Sequence, residues 1–254
     1  MPFTTARDTR FHMMELASGR TGEPVVMLHG LFTGSLASWY LTAAPAIAAR
    51  RRVRLFDWRG HGLSERTRAG YGASAMADDL DALTSDLPPF AIVGHSYGCV
   101  VGLRFLQTRR GRVRRMALVE PPLAEVAEPV PAGTAPPGDR QRFTPARLRA
   151  LRADPSSRRV RGLLENTTLL DDLAAEPPVT DEDLRSLAEV PCMVIGGARS
   201  PYAPSLERVR RVCPQVRGHI LDGGHDIHVT GADDVTALLT GFLGAARSEE
   251  AAHG

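Results

Sequence analysis

Lysine is absent from this sequence of 254 residues: all 31 basic side chains are arginine, against 29 acidic ones, for a net charge of +2. So uniform a choice reads as the codon bias of a GC-rich genome, and so small a net charge argues against a nucleic-acid-binding surface. Cysteine is scarce. Cys99, Cys192 and Cys213 are widely separated, odd in number and without metal-ligand spacing, so they read as reduced core thiols rather than a disulfide scaffold. No apolar run is long enough to span a bilayer, and the N-terminal MPFTTARDTRFHMMELASG lacks an apolar stretch behind a basic start. The expectation is a soluble, cytoplasmic protein with no membrane partner. Internal repeats are missing too. With 43% apolar residues, the chain has the means for one α/β domain with a sizeable core.

What is present centres on VGHSYGCVVG, residues 93–102, where Ser96 stands between two glycines. The preceding PFAIVGHS reads as a short buried strand, and YGCVVGLRFLQTRR as a helix with arginines at its negative pole. G-x-S-x-G between a strand and a helix is a nucleophile elbow, in which a tight turn exposes the hydroxyl at a helix N-terminus. The competing reading is a Ser/Gly turn without chemistry.

Around this unit, strands and helices alternate as in a parallel sheet covered on both faces. PVVMLHG, RVRLFDWRG, RRMALVEPP, VPCMVIGG and VRGHILDGGH read as strands. LASWYLTAAPAIAAR reads as a helix interrupted or begun near Pro45. SAMADDLDALTSDL reads as one with Ala75, Leu80, Leu83 and Leu87 on a shared face. SLERVRRVCP and DDVTALLTGFLGAARSEE are the last two. The rhythm breaks from Pro121 to about Val190, where AEPVPAGTAPPGDR precedes arginine-rich helical segments, TPARLRALRAD and RRVRGLLENTTLLDDLAA. SEEAAHG reads as a frayed tail.

Four motifs in order, MLHGLF, DWRGHGLS, GHSYG and LDGGHDIHV, give the chain from about residue 10 to 245 a resemblance to the α/β-hydrolase superfamily. Within it, the motifs resemble the compact serine-nucleophile group with a helical cap after the sixth strand. The resemblance implies an α/β-hydrolase fold, a mostly parallel central sheet flanked by helices. Residues 1–122 and 191–254 would form the core and 123–190 the cap. It also places the elbow serine at the carboxyl edge of the sheet, where open α/β sheets bind ligands.

A serine hydroxyl needs a base within hydrogen-bond reach. His225 is the candidate: the glycines of LDGGHDIHV let a loop bring its imidazole over the sheet edge, and the family keeps its base in this motif. His228 would point elsewhere. His29, His61 and His95 read as structural. The third member departs from the family pattern, which has an aspartate after the seventh strand in G-x-x-D-x-x-x-P. Here GARSPYAP puts Ser200 at that position. Asp226 and Asp222 are poor substitutes, one adjacent to His225 and the other at the preceding strand end. Glu120 ends RRMALVE and should emerge at the same edge as Ser96, and some haloalkane dehalogenases of the superfamily keep their acid there. The alternatives are a strand-terminating Glu120 with a Ser–His dyad, or an acid elsewhere.

For the oxyanion, the backbone N–H groups of Tyr97 and Leu31 are the expected donors. Phe32, Trp39, Tyr40 and Tyr97 are candidates for lining an acyl pocket or for plain core. Cys99 reads as packing, and Asp57 and Arg59 as loop supports. Serine at the elbow argues against epoxide hydrolases and dehalogenases, whose intermediates need a carboxylate nucleophile. Acyl chemistry remains, on a small-molecule ester, lactone or thioester that could be carrier-bound. The alternatives are a C–C hydrolase or lyase with Ser96 and His225 shuttling protons, and a degenerate ligand-binding member. No cofactor or metal is implied. The eight arginines from Arg140 to Arg161 read as a solvated face before an acidic-substrate site.

Overall fold

A computed structural model describes residues 2–32, 34–124 and 158–244. Eight strands form one sheet: β1 (Phe3–Ala6), β2 (Thr9–Leu16), β3 (Val25–Leu28), β4 (Val53–Phe56), β5 (Phe90–His95), β6 (Val113–Val119), β7 (Cys192–Gly197) and β8 (Arg217–Leu221). Their order is β1-β2-β4-β3-β5-β6-β7-β8. The β1–β2 and β2–β4 pairs are antiparallel, and every later pair is parallel.

The central strands are apolar without interruption because both faces are covered. Successive residues alternate between two cores. Val26, Leu28, Ile92, Met116, Leu118 and Val194 face one, and Val25, Met27, Ala91, Val93, Ala117 and Ile195 face the other. Against the first lie α3 (Ala73–Leu83) and α4 (Tyr97–Thr108), through residues such as Met76, Leu80, Val101 and Phe105. Ala75, expected on the apolar face of α3, is only half-buried, and Met76 with Leu80 and Leu83 makes that face instead. The second core is closed by α1 (Ala37–Tyr40), α2 (Ala43–Ala48) and a C-terminal helix, Ala232–Gly244. The break expected near Pro45 falls earlier, at Leu41 and Thr42. Pro45 sits in the first turn of α2, where its missing N–H has no intrahelical partner to lose.

Between β6 and β7 the described residues form three short α-helices, α5 (Arg158–Asn166), α6 (Leu169–Ala175) and α7 (Asp181–Arg185), and a 3-10 turn, Ser186–Glu189. Thr180 opens α7 with a capping box, its hydroxyl accepting the Asp183 N–H while Asp183 accepts the Thr180 N–H. Tyr71, Val160, Leu163, Leu164 and Leu169 form a third cluster, against which Leu31 and Phe32 pack. Asp172 Oδ2 ties α6 to the core by accepting the N–H groups of Gly70 and Tyr71 at 2.9 and 2.8 Å. AEPVPAGTAPPGDR, TPARLRALRAD and the tail SEEAAHG lie outside the described residues. The chain then continues through α8 (Pro204–Val212), β8, α9 (Ile227–Thr230) and the C-terminal helix, α10. Among the described residues no helix is long and apolar enough to cross a membrane.

Candidate active site

Ser96 alone makes the turn from β5 into α4, with φ 51° and ψ −123°. An L-residue held there costs of order 1–3 kcal/mol, which only a tightly packed surround sustains. The surround is tight because its neighbours are glycines. A Cβ on Gly94 would lie 2.9 Å from Cys99 N, and one on Gly98 would lie 2.8 Å from the Leu28 carbonyl oxygen. Ser96 Oγ is thereby presented at the carboxyl edge of the sheet, at the positive end of α4.

Glu120 reaches the same edge because β5 and β6 are parallel neighbours with His95 opposite Val119. It too has a positive φ, 56°, and it is fully buried. A buried carboxylate must find donors in place of water. Oε1 accepts the Gly197 N–H, and Oε2 accepts the Ser200 hydroxyl and, at 3.2 Å, His225 Nδ1. A carboxylate cannot donate, so Nδ1 carries the imidazole hydrogen and Nε2 is the acceptor. That Nε2 lies 3.0 Å from Ser96 Oγ. The structure thus brings Ser96, His225 and Glu120 into one relay. Asp222 and Asp226 are both exposed, and Asp222 is paired with Arg199.

The loop after β3 runs over the serine. A methyl on Gly30 would stand 3.0 Å from Ser96 Cβ and 3.5 Å from its Oγ. Among the described residues, neither the Leu31 N–H nor the Tyr97 N–H has a hydrogen-bond acceptor. The next amide is engaged, since the Phe32 N–H donates to His61 Nε2 at 2.9 Å. Asp57 anchors the far end by accepting the Leu36 N–H at 2.7 Å, and it also accepts the Leu63 N–H and His12 Nδ1–H. Arg59 pairs with the buried Asp79.

Placement of the aromatic candidates is uneven. Trp39 is wholly buried, its Nε1–H given to the Leu28 carbonyl and its ring set against His228 at 5.0 Å. Core packing claims it rather than a pocket. Tyr40 packs partly buried against the same core, and the Tyr97 ring against the opposite one. Phe32 lies beside the cluster of α5 and α6. The Cys99 thiol is buried, which pushes its pKa well above the usual value, and it donates to the Gly94 carbonyl.

Behind His225 is a support that sequence reasoning did not find. His95 Nε2–H donates to the His225 carbonyl at 3.0 Å, and the His95 and His228 rings stack at 3.7 Å. Burial lowers His95 well below the usual histidine value and His228 to about 4, so both are neutral near pH 7. With Asp226 they form a trio whose ligand atoms lie within 4.8 Å of one another. The two rings are stacked on each other, and His95 Nε2 is already committed to the His225 carbonyl. The trio fits packing better than a metal ion.

Residues 23–186 match the alpha/beta hydrolase fold family. A dihydrolipoyllysine-residue acetyltransferase component of an acetoin cleaving system from Pseudomonas putida is 27% identical over 245 residues. That match covers 89% of this chain but only 64% of the relative, so the chain spans less than two thirds of that protein. A magnesium-chelatase 30 kDa subunit from Rhodobacter capsulatus is 28% identical over 262 residues, covering 87% of each. Among solved structures, an enol-lactonase from Burkholderia xenovorans LB400 shares the fold with a TM-score of 0.74 at 20% identity, over 96% of this chain and 100% of that one.

Proposed function

The chain belongs to the alpha/beta hydrolase fold family, and on that premise we propose that it is a serine hydrolase cleaving an ester, lactone or thioester through an acyl-Ser96 intermediate. The observation that carries this reading is the relay from Ser96 Oγ through His225 to Glu120, with spans of 3.0 and 3.2 Å. In it, His225 Nε2 takes the hydroxyl proton as Oγ adds to the acyl carbon. The imidazolium so formed keeps its Nδ1–H on the Glu120 carboxylate, which offsets the new charge. Leu31 N–H and Tyr97 N–H receive the developing oxyanion. His225 then passes its proton to the leaving group, and a water activated by the same nitrogen releases the acid. Residues 123–190 would act as the cap over this site, with Phe32 at the boundary between cap and loop.

A degenerate, ligand-binding member was the reading suggested by the missing aspartate at position 200. The bond from His225 to Glu120 supports an enzyme instead. The test is a fluorophosphonate probe followed by mass spectrometry, with p-nitrophenyl esters as turnover substrates. Wild-type protein should gain one adduct on Ser96 and show a burst of p-nitrophenolate, and Ser96→Ala should lose both, with turnover down by several orders of magnitude. Retention of most activity by a folded Ser96→Ala variant would remove acyl-serine chemistry from consideration.

A further inference from the structure

The loop between β7 and α8 lacks the expected carboxylate, yet it touches both the acid and the base. Ser200 is buried, and its side-chain oxygen accepts the Tyr202 N–H at 3.1 Å, which fixes where the hydroxyl hydrogen can go. That hydrogen is donated to Glu120 Oε2, the same oxygen that faces His225. Gly197, at the end of β7, holds the other carboxylate oxygen. Two residues after Ser200, the Tyr202 ring meets the His225 ring edge-on at 4.7 Å.

Glutamate has one more side-chain torsion than aspartate, and from the end of β6 it must span to the β7 side of the sheet edge. Each free torsion dilutes the fraction of time that Oε2 faces Nδ1. A clamp on Oε1 alone leaves the carboxylate free to swivel about its last bond, whereas a second clamp on Oε2 stops it. We infer that Ser200 is a positioning residue that orients the Glu120 carboxylate towards His225, so that this loop supplies the grip on an acid it does not itself carry. The inference rests on the acyl-serine reading above.

A double-mutant cycle separates positioning from general packing. The rate of Ser96 labelling by a fluorophosphonate is measured in wild type, Ser200→Ala, Glu120→Gln and the double variant, with Ser200→Thr and Ser200→Val as a shape-matched pair. Glu120→Gln should slow labelling roughly 10²- to 10⁴-fold, as neutralised triad acids do. Ser200→Ala should slow it about tenfold or more in the wild-type background but less than about twofold beside Glu120→Gln, because its route to the serine has been removed. Thr should restore most of the rate and Val should not, since only the hydroxyl distinguishes them. An equal cost of Ser200→Ala in both backgrounds, or Val matching Thr, overturns the inference while leaving the serine hydrolase intact. A wild type that fails to label at all overturns the acyl-serine reading first and this inference with it.

Discussion

The Phe32 N–H donates to His61 Nε2 at 2.9 Å, and His61 Nδ1 meets the Arg59 carbonyl at 2.8 Å. A backbone amide can only donate and a carbonyl only accept, so His61 is held as one neutral tautomer, consistent with burial lowering its pKa. Its partner amide follows Leu31, the proposed oxyanion donor, so this nitrogen sets where that donor rests. Replacing His61 with phenylalanine keeps a ring but deletes the acceptor. The expected outcome is a fall in kcat of about tenfold or more with KM changed less than about threefold, because the oxyanion forms only in the transition state. Steady-state kinetics on a p-nitrophenyl ester would show it, and a rise in KM alone would place the effect of His61 elsewhere. The ends of parallel strands share one edge, so Ser96 and Glu120 are legible as neighbours from the sequence, and the LDGGHDIHV motif adds His225 through the family resemblance. The Ser200 grip and the His95–His228 stack are not legible there, since they depend on side-chain reach between elements far apart in the chain.

At the scale of elements, the central strands announce themselves as continuous apolar runs, but the antiparallel edge does not. β1 and β2 are joined through Arg7 and Asp8, both at positive φ, 48° and 57°. A two-residue turn of this kind is normally signalled by Asn or Gly, and neither is present. TRFHMMEL also lacks a clean alternation, since Phe11 and Met13 pack on one core and Met14 and Leu16 on the other. The helices between β6 and β7 pose the opposite case: their periodicity is readable, but their docking is not. Asp172 is one contact that fastens α6, accepting two backbone N–H groups from residues 70 and 71, while Arg104 and Gln107 hold Asp183 of α7. Asp172→Ala should cost about 1–3 kcal/mol and expose both amides. Hydrogen exchange resolved at Gly70 and Tyr71 would register the loss of protection. Unchanged protection there would mean that the other contacts of this segment, the apolar cluster and the Thr168 N–H bond to the Arg68 carbonyl among them, seat α6 without Asp172.

Among the described residues, His29, His61, His95 and His228 are buried in neutral form. Burial lowers His29 to about 3 and His228 to about 4, and it lowers His61 and His95 as well. In the unfolded chain each takes up a proton near pH 6.5, whereas the folded chain resists doing so until well below that. Between those limits the unfolded state binds more protons, so folding stability falls as the pH is lowered from about 6.5, by up to roughly 1.4 kcal/mol per pH unit for each histidine in its window. Thermal melts at pH 7.5, 6.5 and 5.5 should therefore show a small change over the first interval and a steep decline over the second. A melting temperature that stays level down to pH 5 would indicate that these imidazoles protonate inside the fold.

The order of the strands suggests an expected order of events in folding. Ser96 and Glu120, the proposed nucleophile and acid, follow the ends of the adjacent strands β5 and β6 in one short β-α-β stretch. The proposed base, His225, follows β8, which lies at the outer edge of the sheet and pairs with β7. A chain emerging from the ribosome would carry Ser96 beside Glu120 while still inert, and would gain its base only when the last strand docks. Reactivity at Ser96 then serves as a chemical clock for the completion of folding: in a refolding experiment, probe labelling should lag behind the recovery of sheet signal.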